Sequence, residues 1–302
     1  MAVYEHTYKQ YAGRLTPEWS RFLIIPRHAF RDVFKSKLFT AFFVLCFAPV
    51  LVEAIFIYLH HNTQALGILQ ARVNQLVPID ASFFEFWVHF QAAFAGLVTV
   101  LVGPPLVARD LSNNGLPLYL CRPFSRAEYV FGKMSVVLIL LSTITWVPGL
   151  LMFFFQAYLE GFGWLGNNFS IASAIFLSSL LWILTLALLS QTISAWVRWR
   201  MAASAALIGL YFIPSAFAEI VNAMFMTHWG HLLSIGGVRW NLTKALFGTF
   251  EQVTGRTTGW DDSQEIILRE PALWCSWLAL FLLCAICLAL LSRKVKAYEV
   301  IR

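Results

Sequence analysis

The chain has 302 residues, of which 59% are hydrophobic and 16% aromatic, and only 13% are charged against roughly 25% in an ordinary globular domain. Its apolar residues gather in runs of membrane-spanning length, which excludes a soluble enzyme domain. The formal net charge of +6 suits anionic lipid headgroups as a partner and gives no reason to expect nucleic acid.

The first 37 residues are basic and aromatic and show no cleavable signal pattern, because the first long apolar run is already a full-length span. Thr16-Pro17-Glu18 predicts a helix start, with Thr16 as N-cap, Pro17 at the first helical position and Glu18 near the positive end of the dipole. Trp19, Phe22, Leu23, Phe30, Val33 and Phe34 fall at helical spacing, Arg21, Arg27, Arg31, Lys35 and Lys37 on the polar side, and Pro26 is positioned to kink the helix. This pattern predicts an amphipathic helix on the inner leaflet.

A bilayer core of about 30 Å needs about 20 apolar residues per helix. Six stretches qualify, 38–59, 83–107, 130–158, 170–197, 201–222 and 271–292. The expected fold is an all-α integral membrane protein, with an N-terminal segment 1–37 and a six-helix transmembrane domain 38–302. With both termini inside, the cytoplasmic segments hold 17 of the 22 Lys and Arg residues, so the positive-inside bias places both ends in the cytoplasm. A multi-pass protein of the plasma (inner) membrane follows.

Ionisable residues inside spans are functional candidates, because a charge in hydrocarbon is expensive. Glu53 in span one, His89 in span two and Glu219 in span five all fall in the outer layer, where they are candidates for an external gate; each could equally snorkel or satisfy a neighbour. The link after span three centres on Glu160-Gly161-Phe162-Gly163. The external segment 223–270 is long, rich in glycine and carries half-length apolar pieces such as "KALFGTF", which suggests a partly re-entrant or surface-lying path. Cys46, Cys275, Cys284 and Cys287 lie in spans and Cys121 on the cytoplasmic side, none resembling half of an external disulfide. Cys284-x-x-Cys287, on an apolar helix without a histidine, reads as a pair of small lipid-compatible residues.

Several chemistries are missing. Only His89 is clearly within a span, which removes a bis-histidine haem, and no H-E-x-x-H motif for zinc occurs. Gly132-Lys133 is followed by Met134 and lacks the upstream glycine, so the chain has no phosphate-cradling P-loop of its own. His60-His61 and His228-x-x-His231 could bind a metal on the outer face, but adjacent or i, i+3 histidines without carboxylate company are usually incidental. No catalytic residue, cofactor or metal is expected.

The segment between spans two and three, 108–133, is more specific. Span two ends in Gly103-Pro104-Pro105, where the helical hydrogen-bond ladder is interrupted. Arg109-Asp110 follows, then the turn residues Asn113-Asn114-Gly115, a short apolar run from Leu116 to Leu120, and the break at Arg122-Pro123. Ser125 and Glu128 have the spacing of a capping box opening the helix that becomes span three. The pattern "GPPLVARDLSNNGLPLYLCRPFSRAEYVFGK" resembles the corresponding cytoplasmic segment of ABC-2 type transporter permeases. The topology, with an N-terminal interfacial helix and a long external segment before span six, is similar to the G-subfamily exporters.

The resemblance implies a coupling helix in 108–133 that docks on a separate ATP-binding-cassette ATPase subunit. Arg109, Asp110, Asn113, Asn114, Leu116, Pro117, Tyr119, Arg122, Ser125, Arg126 and Glu128 are its expected contact positions, with a lesser contact around Arg198-Trp199-Arg200. It also implies a second permease subunit, identical or not, and alternating access driven by ATP hydrolysed elsewhere. A rival reading, a non-transporting membrane anchor or assembly subunit, shares the topology; copurification with a P-loop ATPase separates the two.

Overall fold

The computed structural model describes residues 24–62, 78–112, 126–197, 199–250, 253–258, 265–269 and 271–294. Helix α1 (Ile24–Phe34) precedes a first span built of α2 (Lys37–Leu45) and α3 (Ala48–His61). Span two is α4 (Ala81–Ser112), and span three is α5 (Arg126–Ile144) with α6 (Trp146–Glu160). A short α7 (Phe162–Asn167) leads to span four, α8 (Phe169–Trp196), and then to span five, α9 (Arg200–Phe225). A 3-10 turn (Trp229–Leu233), α10 (Ile235–Phe247) and a hairpin of β1 (Val253–Thr258) and β2 (Glu265–Arg269) precede span six, α11 (Leu273–Lys294).

Six helical segments are long and apolar enough to cross a membrane, and the protein is an all-α integral membrane protein apart from that hairpin. Their order puts residues 24–36, the end of α4 and Trp199 at one end of the bundle, the terminal end, and α7 and the hairpin at the other, the far end, from which α10 returns into the bundle. The Thr16-Pro17-Glu18 helix start, with Trp19, Arg21, Phe22 and Leu23, lies outside the described residues; α1 is described from Ile24, and Pro26 stands in its first described turn. The hairpin is antiparallel, with Val253 opposite Arg269 and Thr258 opposite Glu265, and the sequence reading did not anticipate it.

Span four lies at the centre and is the most buried of the six, while span five is the least. Close approach to span four requires glycine. A Cβ on Gly103 would stand 2.6 Å from the Ser190 Cβ, and one on Gly149 2.8 Å from the Ile175 Cγ2, so spans two and three meet α8 nearly backbone to side chain. One apolar cluster fills the terminal half with Val98, Val102, Leu141, Ile144, Ile183 and Leu186, and a second fills the far half with Ile57, Phe84, Phe153 and Ile175.

Proline shapes the spans, and cross-helix donors repair what it breaks. Proline has no N–H, so the carbonyl four residues upstream loses its helical partner. Pro148 frees the carbonyl of Ile144, and span three breaks at Thr145; the buried Gln91 amide on α4 donates to that carbonyl. The same amide donates at 2.9 Å to the Cys46 carbonyl, where span one breaks ahead of Pro49. One glutamine thus joins the breaks of spans one and three to span two. Pro104 frees the Val100 carbonyl, which accepts at 3.0 Å from the Ser204 hydroxyl of α9. With that carbonyl satisfied, α4 continues through the proline pair to Ser112.

Candidate functional site at the two ends of the bundle

At the terminal end, α4 and α5 are tied together where they enter and leave the segment between them. The Lys133 ammonium lies 2.9 Å from Asp110 Oδ2, and the Tyr129 hydroxyl donates to the same oxygen at 2.8 Å. Lys133 Nζ is also 5.9 Å from the Tyr129 ring centroid. Tyr129 and Lys133 are one turn apart on α5, which is why both reach Asp110. The lysine is buried and the aspartate nearly so, so each charge depends on the other. The clamp fixes the distance between the two feet of 108–133.

Helix α1 packs beside this clamp. Ile25, His28, Asp32, Pro105, Asp110 and Lys133 are among the residues around a cavity of about 420 Å³ between α1 and the ends of spans two and three. The N-terminal helix and the clamp therefore form one structural unit.

Of the expected contact residues, the side chains of Asp110 and Glu128 are described. Glu128 falls in the first turn of α5, where its charge favours the helix dipole. Arg109 and Arg126 are described only as helical backbone. Asn113, Asn114, Leu116, Pro117, Tyr119, Arg122 and Ser125 lie outside the described residues, as do Cys121 and Arg198. Trp199 is exposed at the same end.

At the far end the three gate candidates do not meet within the chain. Glu53 is buried beside a cavity of about 20 Å³ with Gln91, Thr145 and Ser179, room for about one water molecule. His89, on another face of α4, has its ring centroid 3.9 Å from that of Trp240 and its Nε2 3.7 Å from Glu85 Oε1. Glu219 is exposed on α9 and stands 3.8 Å from His231 Nε2. Each is accounted for by a different neighbourhood.

Two of the far-end histidines, His61 and His231, do have carboxylate company, unlike what the sequence suggests. His61 Nε2 is 3.2 Å from Glu160 Oε1, joining the far ends of spans one and three, and Glu219 stands beside His231. Among the described residues, no group of three or more histidine, cysteine or acidic residues is arranged to hold a metal ion. The cysteines Cys46, Cys275, Cys284 and Cys287 are free.

After α9 the chain turns back into the bundle. Gly230 packs against α9, its N–H donating at 2.7 Å to Asn222 Oδ1; a Cβ there would stand 2.4 Å from the Ala218 carbonyl oxygen. Gly236 lies beside Tyr211, lower still on α9. From there α10, capped by the Ser234 hydroxyl, which accepts from the Gly237 N–H at 2.8 Å, climbs back between spans four and six. Residue order alone does not single out Arg239, Glu85 or Gln91. Arg239 counts there as an external-loop cation, whereas its guanidinium carbon is 5.2 Å from the Trp182 ring centroid and its Nη1 3.4 Å from His89 Nδ1.

Residues 23–251, from the start of α1 to just beyond α10, match the family of ABC-2 family transporter proteins. That match covers most of the chain, and the protein belongs to the ABC-2 family of membrane transport proteins. No curated protein matches the chain.

Proposed function

We propose that this chain is the permease subunit of an ATP-driven exporter, with ATP hydrolysed by a separate subunit that docks on residues 108–133. Both termini and that segment face the cytoplasm of a cell whose inner membrane holds the six spans. Two such six-span subunits, identical or not, enclose the path.

The observation that carries this reading is the Asp110–Lys133 pair with the Tyr129 hydroxyl. A loop that merely connects two spans does not need a buried ion pair at its base. A lever does, because force applied to the segment is lost unless both feet move together. From the clamp, motion of spans two and three passes to span one through the Gln91 amide and to span five through the Ser204–Val100 hydrogen bond. An ATPase biases the orientation of the spans only if it contacts the two states differently, and feet clamped to each other carry such a bias to spans two and three together.

Co-reconstitution with a P-loop ATPase in liposomes tests the reading. Formation of a complex whose ATP hydrolysis rises with a transported compound supports it. A chain that purifies alone under every co-expression condition, or a complex that hydrolyses no ATP, supports the anchor reading.

A further inference from the structure

Arg239, partly buried, lies against the middle of span four, and among the described residues no anion is paired to it. Its neighbour Trp182 is at the middle of α8, about 20 Å from either end at 1.5 Å per residue. The Arg239 Nε is buried without a hydrogen-bond partner, and among the described residues no carboxylate forms an ion pair with the guanidinium. Glu85 accepts from the Thr249 hydroxyl and lies beside His89. Lys244, whose Nζ is 5.5 Å from the Trp240 ring centroid, adds a second cation. The neighbourhood of His89 thus holds two basic side chains and one carboxylate, and Arg239 stands at a depth where an unpaired charge is costly.

Two cavities adjoin this cation. Arg239, Ser178, Thr185, Ser234 and Thr243 are among the residues around a cavity of about 110 Å³, room for a carboxylate or phosphate group; the Ser178 and Thr185 hydroxyls, which donate to the Ala174 and Leu181 carbonyls, would turn to bond it. Trp182 and Ile235 also border a second cavity of about 230 Å³, lined by Gly96, Leu186, Leu189 and Tyr211 among others. Its lining is almost wholly apolar. Among the described residues the first cavity has no negative charge in its lining, the second offers mainly apolar contact, and they share a wall.

We propose that the two cavities form one binding site for an amphiphile with a single anionic headgroup, phosphate or carboxylate. The headgroup pairs with Arg239, and the chain passes Trp182 into the apolar cavity. That the ligand is cargo rests on the transport reading above; the binding itself needs no ATPase, so the two fail separately.

The test is saturable binding of radiolabelled dodecyl phosphate to the purified full-length chain in phosphatidylcholine nanodiscs. Unlabelled dodecyl phosphate should displace it at least about tenfold better than dodecanol or inorganic phosphate does, a difference of about 1.4 kcal/mol. Arg239→Gln should lower the affinity by at least about tenfold, and Arg239→Lys by less, since the charge is retained. Gly96→Leu is the second variant, should Arg239→Gln not fold. A Cβ on Gly96 meets nothing within 4 Å, so the leucine grows into the apolar cavity and should weaken dodecyl phosphate while sparing butyl phosphate. Equal displacement by dodecanol overturns the anionic headgroup. Equal displacement by inorganic phosphate overturns the amphiphile in favour of a free anion. Unchanged affinity in both Arg239→Gln and Gly96→Leu overturns the site and leaves only lipid bound at the rim.

Discussion

Lys133 Nζ lies 2.9 Å from Asp110 Oδ2, an ion pair that closes the segment between spans two and three at its base. Removing one member of a buried pair leaves the other charge uncompensated, at about 3–5 kcal/mol, whereas replacing both by apolar groups is often close to neutral. Asp110→Leu and Lys133→Met alone should each lower thermal stability in detergent, and the double variant should recover most of the loss. The same double variant should bind an ATPase partner less well, because the clamp stiffens as well as stabilises. Wild-type binding by a well-folded double variant would argue against the lever.

Gln91 supplies a donor to two carbonyls at helix breaks. Gln91→Leu leaves both unsatisfied, at about 1–3 kcal/mol for each group. Restoring an N–H at position 148 provides the Ile144 carbonyl with its helical donor again. Gln91→Leu with Pro148→Ala should therefore be less destabilised than Gln91→Leu alone, and a double-mutant cycle on thermal unfolding reads the difference. Simple additivity would mean that the glutamine does not act through the Ile144 carbonyl.

Gly103 meets Ser190 with no space for a methyl group. Overpacking of this kind costs about 1–3 kcal/mol, so Gly103→Ala should lower the unfolding temperature. Ser190→Gly in the same chain removes the clashing atoms and should restore most of it. If the second substitution made matters worse, spans two and four would not approach as closely as described.

The spans were legible because hydropathy is a local property. Span two was expected at 83–107 and is helical over Ala81–Ser112, and span four at 170–197 and is helical over Phe169–Trp196. The breaks in spans one and three were signalled only by Pro49 and Pro148, since a window long enough to find a span averages over a kink. What stayed hidden was non-local. Asp110 and Lys133 both stand in the segment read as a contact surface, yet nothing in the order of residues says that they touch. By residue order Arg239 falls among the charges of the external segment 223–270, because half-length helices carry no hydropathy signature of their own, and its depth follows only from the return of the chain along α9. The hairpin did have β-branched residues to announce it, Val253, Thr254, Thr257, Ile266 and Ile267.

Glu128 and Arg122 carry the contact expectation at its most specific, an acidic residue in the first helical turn and an arginine ahead of Pro123. Glu128→Ala and Arg122→Ala should each reduce copurification of the ATPase while the yield of folded permease stays at the wild-type level. Unchanged pull-down for both would move the docking surface elsewhere.

Cys121, within the same segment, is a natural reporter, because Cys46, Cys275 and Cys287 are buried and Cys284 partly so. Membrane-impermeant maleimide applied to sealed inside-out and right-side-out vesicles reads its sidedness and its cover together. The account predicts labelling of Cys121 only from the cytoplasmic face, with the rate falling at least about tenfold when the ATPase is bound, as for a site withdrawn from solvent. Labelling from the outer face, or an equal rate with and without the ATPase, would contradict it.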